Sequence, residues 1–144
     1  MIERSFDSDK IKSIVLHESM GNSLRYLKNT IDEIVNDDRN YCFVDDLRTC
    51  VFVRSNVDPY ASYSIIVAMM PDGREAGSIE FIRKCVDTML DMGAKVTCNV
   101  ASSNTSAVNM ISAIKRGVVF NRTENIVYGF CTAETAKLER EQYP

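Results

Sequence analysis

Apolar and polar residues alternate along the chain with two different periods, and the change of period separates predicted helices from predicted strands. In the first quarter of the chain, apolar positions recur every three or four residues, which is the spacing of one buried helix face. A first helix is expected after a cap at residues 7–9, and a second from Asn22 or Ser23 to Val35. The segment Ile2–Phe6 before them is expected to be a short strand.

Beyond this quarter, two-residue alternation and short apolar runs predict strands. Residues 41–44 and 49–53 flank Asp45–Asp46, which is the pattern of a β-hairpin. Ser62–Met70 is too apolar to leave a face in water, so this strand is expected at the centre of the sheet. The elements expected after it are a helix Gly77–Met92, a strand Lys95–Val100, a helix Ser103–Arg116, a hairpin of 118–120 with 126–131, and a frayed helix or coil from Glu134.

The order of these elements predicts an α/β protein with a mixed sheet and at least one strand–helix–strand crossover in its second half. A flavodoxin-like or other nucleotide-binding α/β domain is the alternative, but it requires strands and helices to alternate from the start. The chain has 144 residues and no Pro-, Gly- or Ser-rich linker. Residues 1–144 are therefore expected to form a single domain.

Composition and charge narrow the classes of function. The formal net charge is −3, so no general attraction to nucleic acid or to anionic membranes is expected. No apolar run approaches the roughly 20 residues that span a bilayer. The charged start MIERSFDSDK does not have the apolar stretch of a secretory signal. We therefore expect a cytoplasmic protein.

The chain has five cysteines and one histidine. The cysteines are scattered, their count is odd, and none forms a Cys-x-x-Cys pair, so neither a disulfide framework nor a zinc site is expected. His17 alone does not supply a cluster of imidazole ligands. The sequence therefore predicts reduced thiols and no metal site.

One local pattern carries chemistry: a central strand, a turn with two glycines, and the start of a helix. Helix N-termini present backbone N–H groups and the positive end of the helix dipole, so they bind phosphate well. Gly73 and Gly77 allow the backbone to approach a pyrophosphate closely, and Arg74 adds a cation beside it. An ordinary strand-to-helix turn has the same composition, so the pattern alone leaves both interpretations open.

The same residues resemble a known family. Arg74–Ile79 (REAGSI) resembles the pyrophosphate loop of GNAT N-acyltransferases, Arg/Gln-x-x-Gly-x-Gly/Ala, and it also follows a strand and opens a helix. Residues 93–100 are similar to the next strand of that family, residues 101–110 resemble its Asn-x-x-Ala-x-x-Leu-Tyr segment, and Gly117–Phe120 takes the place of its Gly-Phe pair. The order of elements agrees over nearly the whole chain, although the specific motifs lie in the second half.

The resemblance implies the acyl-CoA N-acyltransferase (GNAT) fold: a mixed, mostly antiparallel sheet flanked by helices, with a coenzyme A-binding half at about residues 62–120. It implies an enzyme that moves an acetyl group from acetyl-CoA to the amine of a small molecule or protein. The backbone of Ala68–Met70 would pair with the pantetheine arm, and the two consecutive strands of this half would separate to admit that arm. The N–H groups of Arg74–Ser78 would hold the pyrophosphate. The coenzyme-binding residues implied are Ala68, Met69, Met70, Arg74, Glu75, Ala76, Gly77, Ser78, Asn104 and Ala107, with Asn104 near the thioester.

The chain departs from the family pattern in three ways. Ile79 stands where the family has Gly or Ala, so the helix is expected to approach the phosphates less closely. Ile111 stands where many members have a tyrosine that protonates the departing thiolate, and an isoleucine is not an acid. The helix that begins at Asn104 is about two residues longer than the family's. These departures motivate an alternative: a catalytically inactive GNAT-fold protein that serves as a binding or structural component.

A second likeness is shorter. Asn104–Ser106 together with Gly117–Phe120 looks like small GNAT-like proteins of short-tailed bacteriophages, some of which are virion-associated. It favours the inactive alternative, assembly into a larger particle, and a location inside a virion instead of the cytoplasm. The acceptor and the oligomeric state, a homodimer among the options, have no readable signature in the sequence.

Acyl transfer from a thioester to an amine needs a base for the ammonium proton and donors that polarise the carbonyl. The side chains that the sequence places near the open end of the central strands or on the acceptor side are Tyr60, Tyr63, Ser64, Asp45, Asp46, Cys98, Ser102, His17 and Tyr128. Each also has an ordinary packing, turn or capping role that its neighbours explain. No catalytic residue is assigned from the sequence.

Overall fold

A computed structural model describes residues 2–17, 30–56, 61–74 and 76–144 of the chain. Within these ranges the protein has six strands and five α-helices. In chain order the elements are α1 (Ser8–Val15), α2 (Ile31–Asn36), β1 (Tyr41–Val44), β2 (Arg48–Arg54), β3 (Ser62–Met69), a 3-10 turn (Pro71–Arg74), α3 (Ser78–Asp91), β4 (Lys95–Ala101), α4 (Thr105–Ala113), β5 (Val119–Arg122), β6 (Ile126–Cys131) and α5 (Ala133–Gln142). The predicted hairpins, central strand and crossover helix are all present.

The six strands form one sheet in the order β1-β2-β3-β4-β6-β5, and helices flank it. The pairs β1–β2, β4–β6 and β5–β6 are antiparallel. β3 and β4 are parallel, because the 14-residue helix α3 between them carries the chain back before the next strand starts. The sheet is therefore mixed and mostly antiparallel, and the fold class predicted from the sequence is confirmed.

The chain forms two compact units, of which the first comprises Met1–Val53 and Ile66–Cys85. Asp7 caps α1, because its carboxylate accepts the N–H of Lys10 at 3.1 Å. The helix therefore starts where the predicted cap placed it. One apolar cluster of this unit joins the inward faces of α1 and α2 to the strands, and its buried side chains are Ile11, Ile14, Val15, Ile31, Val35, Cys42, Val51 and Ala68.

The second compact unit comprises Arg54–Ile65 and Val86–Pro144. β6 lies between β4 and β5 in it, and the side chains of β6 alternate in exposure. Val127 is fully buried, whereas Ile126 and Tyr128 are 45% and 37% exposed. One face of these strands is therefore packed and the other is open to solvent.

A buried ion pair ties the C-terminal segment into the second unit. Arg116, whose side chain is 1% exposed, donates to both carboxylate oxygens of Asp87 at 2.7 and 3.0 Å. It also donates to the carbonyl of Tyr143 at 2.7 Å. This bidentate pairing and the carbonyl satisfy a guanidinium that would otherwise be costly to bury.

The predicted strand Ile2–Phe6 is wrong, because the segment has no strand conformation. It approaches β1 through a backbone bond from the N–H of Ser5 to the carbonyl of Cys42 at 2.7 Å. Arg4 lies over the ring of Tyr41, with its guanidinium carbon 4.1 Å from the ring centroid. The segment is therefore attached through a side chain and a single bond to β1, and not through a ladder of successive bonds.

The helix predicted over Ser103–Arg116 is shorter in the structure, where α4 ends at Ala113. Lys115 has a φ of 54°, in the left-handed region, which a continuing helix does not allow. The predicted start of the second helix at Asn22 or Ser23 lies outside the described residues.

The tail from Glu134, predicted as a frayed helix or coil, is the helix α5. Thr132 and Thr135 exchange side-chain and backbone hydrogen bonds in a capping box at its start. Arg140 near its end pairs with Asp91 at 2.9 Å. None of the helices in the described ranges combines the length and the apolar character that a bilayer crossing requires.

Gly93 and Gly117 form a matched pair for testing how tightly α5 is packed. Both have left-handed φ angles, 78° and 62°, so an alanine is strained by about 1–2 kcal/mol at either position. A Cβ on Gly93 meets no atom within 4 Å, whereas one on Gly117 would overlap the carbonyl of Thr135. We expect Gly93→Ala to lower the free energy of unfolding by about 1–2 kcal/mol and Gly117→Ala by roughly 3 kcal/mol or more, in urea denaturation. Equal losses would contradict the packing of α5 on Gly117.

Candidate functional site

The central strand β3 ends at the turn that the sequence singles out, and its last peptide groups are bound into the protein on one side. The N–H of Met70 donates to the carbonyl of Leu47 at 2.7 Å, and the carbonyl of Met70 accepts from the N–H of Gly73 at 2.8 Å. Both backbone groups of Met70 therefore have partners within the protein, and its predicted pairing with a pantetheine arm stays a prediction. Backbone groups alternate sides along a strand, so those of Ala68 point the same way as Met70 and those of Met69 the opposite way.

The two glycines of the turn serve two different purposes. Gly73 is buried, and a Cβ on it would lie 2.8 Å from the carbonyl oxygen of Leu47. It allows close packing inside the protein, and the predicted approach of a pyrophosphate to its backbone stays a prediction. Gly77 is exposed and has a φ of 96°, a backbone conformation that favours glycine.

The helix α3 starts immediately after Gly77. The first bond of the helix runs from the N–H of Phe81 to the carbonyl of Gly77 at 3.0 Å, so the N–H groups of residues 78–80 have no acceptor within the helix. Gly77 has no side chain to cap them. Arg74 and Ala76 are exposed beside this helix start, Ser78 is buried, and Glu75 lies outside the described residues. Helix N-termini with N–H groups of this kind are able to bind anions.

Arg48, which no motif in the sequence indicates, holds the turn from the other side. Its Nε donates to the carbonyl of Gly73 at 2.7 Å and its Nη2 to that of Ala76 at 3.3 Å. Asp45, considered from the sequence as a catalytic base, instead pairs with Arg48 at 2.9 Å. Asp45 and Arg48 are close in sequence, but no local signal predicts a contact with a turn 25 residues further along.

In the second unit, β4 has one side that extends beyond its ladder with β3. The parallel ladder covers three residue pairs, from Ser62↔Lys95 to Ser64↔Thr97. β4 continues to Ala101 and stays paired with β6 to that residue. Within the described strands, residues 98–101 of β4 therefore lie beyond its ladder with β3. This arrangement suits the predicted opening for a ligand with amide groups.

Asn104 and Ala107 form the N-cap of α4. The side-chain oxygen of Asn104 accepts the N–H of Ala107 at 3.2 Å. Both residues thus have a structural use, and their predicted contact with a coenzyme stays a prediction. Ile111, on the same helix, is half-buried, and α4 has no fully buried residue.

Several residues considered for catalysis are engaged in local contacts. The hydroxyl of Tyr63, a buried residue, lies 3.4 Å from Nη1 of Arg54. The hydroxyls of Ser64 and Thr97 are 3.3 Å apart across the β3–β4 ladder. Ser102 donates to the carbonyl of Thr123 at 3.3 Å. Tyr60 lies outside the described residues.

The other candidates are spread over the surface. Asp46, whose side chain is 98% exposed, pairs with Lys10 at 3.0 Å. His17 follows α1 and is half-buried, and Tyr128 lies on the open face of β6. No catalytic residue is assigned among these side chains. Among the described residues, no three His, Cys, Asp or Glu side chains are placed to hold a metal ion.

Comparison with known proteins gives structures but no sequence family: no family model matches the chain, and no curated protein matches it. A structure of mutant forms of the spermidine/spermine N-acetyltransferase from Vibrio cholerae matches with a TM-score of 0.69 and 14% identity, over 98% of this chain and 97% of that one. Spermidine N-acetyltransferase from Vibrio cholerae in complex with CoA and spermine matches with a TM-score of 0.65 and 13% identity, over 95% of this chain and 96% of that one. Ribosomal-protein-S5-alanine acetyltransferase from Vibrio fischeri matches with a TM-score of 0.60 and 10% identity, over 92% of this chain and 91% of that one. The chain therefore has the GNAT acetyltransferase fold.

The buried thiols are expected to react slowly with alkylating agents. Burial raises the pKa of Cys42 to about 11 and that of Cys131 to about 12, so at pH 8 the thiolate fraction of each is about 10⁻³ or less. Burial also raises the pKa of Cys98, which is half-buried. With iodoacetamide at pH 8 and detection by mass spectrometry, we expect Cys98 to be labelled before the other thiols, and Cys42 and Cys131 only after unfolding. Labelling of Cys42 in the folded protein at the rate of free glutathione would contradict this.

Proposed function

We propose that the protein is an N-acyltransferase that moves an acetyl group from acetyl-CoA to a primary amine. The observation that carries the proposal is the N-terminus of α3, which is preceded by the exposed Gly77 and follows the turn after the central strand, in a chain with the GNAT acetyltransferase fold. The N–H groups and the dipole of this 14-residue helix present partial positive charge to solvent. A pyrophosphate is the anion that such a site suits.

Coenzyme A also matches the chemistry of the second unit. The pantetheine arm carries amide groups, and β4 from Cys98 to Ala101 extends past its ladder with β3. Peptide N–H and C=O groups of an open strand edge are satisfied by the amides of such a ligand. The bound CoA in one similar structure supports the same choice of cosubstrate.

The reaction we propose is direct transfer. The amine nitrogen attacks the thioester carbonyl carbon, a C–N bond forms, and the C–S bond breaks, so that coenzyme A leaves as a thiolate. A base takes the proton of the attacking ammonium, and the thiolate takes up a proton. The buried cysteines, with raised pKa values, favour this route over an acyl-cysteine intermediate.

For the acceptor we propose a polyamine or the amino group of a protein. These two classes correspond to the names of the structurally similar enzymes, a spermidine N-acetyltransferase bound to spermine and a ribosomal-protein-alanine acetyltransferase. Both acceptors present a primary amine, which is the nucleophile that the proposed transfer requires.

One observation favours a second candidate, a GNAT-fold protein that binds coenzyme A without turnover. Ile111 has the position of the thiolate-protonating tyrosine in the family that the sequence resembles, and its half-buried side chain has no acidic proton. Residues 104–107 are occupied in capping the same helix. An assembly role, including the virion component suggested by the sequence, belongs to this candidate.

The test is a binding and turnover experiment on the full chain. Titration calorimetry with acetyl-CoA should show saturable binding, and mass spectrometry should show acetylated product from a panel of spermidine, spermine and peptides with free amines. Binding without any acetylated product would select the second candidate. No binding at millimolar acetyl-CoA would refute both.

The role of position 111 is tested by a matched pair of variants. Ile111→Tyr supplies a hydroxyl that is able to protonate the departing thiolate, whereas Ile111→Phe adds a ring of similar size without the proton. We expect Ile111→Tyr to raise kcat about 10-fold or more and Ile111→Phe to leave it unchanged or lower. A rise with both variants would attribute the effect to packing and not to proton transfer.

A further inference from the structure

We infer that Arg48 is a positioning residue for the coenzyme, because its guanidinium holds the turn after β3 so that an N–H group at the start of α3 faces the pyrophosphate. The inference rests on the proposed function, since it names the side chain that shapes the proposed pyrophosphate site. In this role Arg48 acts through the backbone of the turn and takes no part in the transfer reaction.

The contacts of Arg48 bracket the turn. Its Nε donates to the carbonyl of Gly73, within the 3-10 turn, and its Nη2 donates to the carbonyl of Ala76, which precedes Gly77. The first distance, 2.7 Å, is at the short end of the range for N–H···O bonds, as expected when the donor is charged. Two carbonyls three residues apart are thereby drawn toward the same guanidinium.

The guanidinium is itself held in place. Its Nη1 donates to Oδ2 of Asp45 at 2.9 Å, and Oδ1 of Asp45 accepts the backbone N–H groups of Leu47 and Arg48 at 2.8 and 2.7 Å. The side chain of Arg48 is only 14% exposed. A sheltered, charge-assisted contact is worth more than the small contribution of exposed ion pairs. The hairpin turn therefore presents a rigid fork of donors to the turn after β3.

The direction of the outward N–H follows from the planarity of the peptide group. In a trans peptide the C=O and the N–H point in opposite directions, and the described chain has no cis peptide bond. Because the carbonyl of Ala76 points to Arg48, the N–H of Gly77 points away from it. Gly77 is an exposed residue, and in this proposal its N–H faces the ligand.

Arg48 also adds positive charge at the helix start. A Cβ built on Gly77 would lie 3.6 Å from Nη2 of Arg48, so the guanidinium adjoins the residue that precedes α3. Its charge, which is shared with Asp45, lies near the positive end of the helix dipole. A lysine would keep the charge but lose the planar fork that binds two carbonyls and Asp45 at once. The contribution of the charge and that of the planar set of donors can therefore be measured separately by substitution.

The experiment compares two ligands that differ in the pyrophosphate. Dissociation constants for CoA, by calorimetry, and for pantetheine, by NMR titration, are measured for the wild type, Arg48→Gln and Arg48→Lys. We expect Arg48→Gln to weaken CoA binding about 10- to 100-fold, because charge-assisted bonds that hold the turn are lost, while pantetheine binding stays within about twofold. Arg48→Lys is expected to weaken CoA nearly as much, since the fork is lost.

The matched control is Arg39→Gln, which removes an exposed arginine of the same unit whose side chain pairs locally with Asp37 at 2.7 Å. It should bind both ligands like the wild type. If Arg48→Gln does not fold, as judged by circular dichroism, Asp45→Asn takes its place, because it removes the ion pair but keeps the guanidinium. We expect it to weaken CoA about threefold or more, with pantetheine unchanged.

Three results separate the possible failures. CoA affinity equal to the wild type in Arg48→Gln, or in Asp45→Asn where that variant is used, would overturn the inference and leave the proposed function intact. Equal loss of CoA and pantetheine affinity would also overturn it, because the side chain would then support the fold in general. Failure of the wild-type protein to bind CoA would refute the proposed function, and this inference with it.

Discussion

The contact between the hairpin turn 45–48 and the loop after β3 is the constraint on which the candidate site depends. Gly73 lies against Leu47 with no room for a side chain, and the carbonyl of Leu47 also accepts the N–H of Met70. The end of the central strand is thus fixed before α3 begins. Gly77, which precedes the helix, is exposed, and the start of α3 is where we propose that an anion binds.

A different constraint organises the second unit. Arg116 is fully buried, and it is tolerated there because Asp87 and the carbonyl of Tyr143 satisfy it. Gly117 next to it leaves space for the backbone of α5 at Thr135. These contacts hold the C-terminal helix in the unit that also contains β4 and α4, the other elements implied in coenzyme binding.

Fold and catalytic activity place different requirements on the sequence. The chain shares its fold with acetyltransferases at 10–14% identity over more than nine-tenths of its length. Such a fold requires apolar side chains of suitable size at positions of the right period, and many sequences meet this condition. Catalysis requires particular groups at particular places. Ile111 shows the difference, since it suits the helix but supplies no proton.

The sequence by itself determined the features that depend on local patterns. The period of apolar residues gave the central strand and α3, and the Asp7 cap and the left-handed Gly77 follow from the preferences of single residue types. The GNAT fold also followed, through motifs that lie within short segments.

Only the tertiary structure decided the features that depend on partners distant in sequence. Ile2–Phe6 is not a strand, because it lacks a ladder with β1, and α4 stops at Ala113, two residues before the left-handed Lys115. The tail is a capped helix that packs beside Gly117. Arg48 donates to the carbonyl of Gly73 in the turn after β3, 25 residues further along the chain. Periodicity reports which face of an element is buried, but it does not report which groups meet there, and hydrogen bonds between distant segments are settled only when the chain has folded.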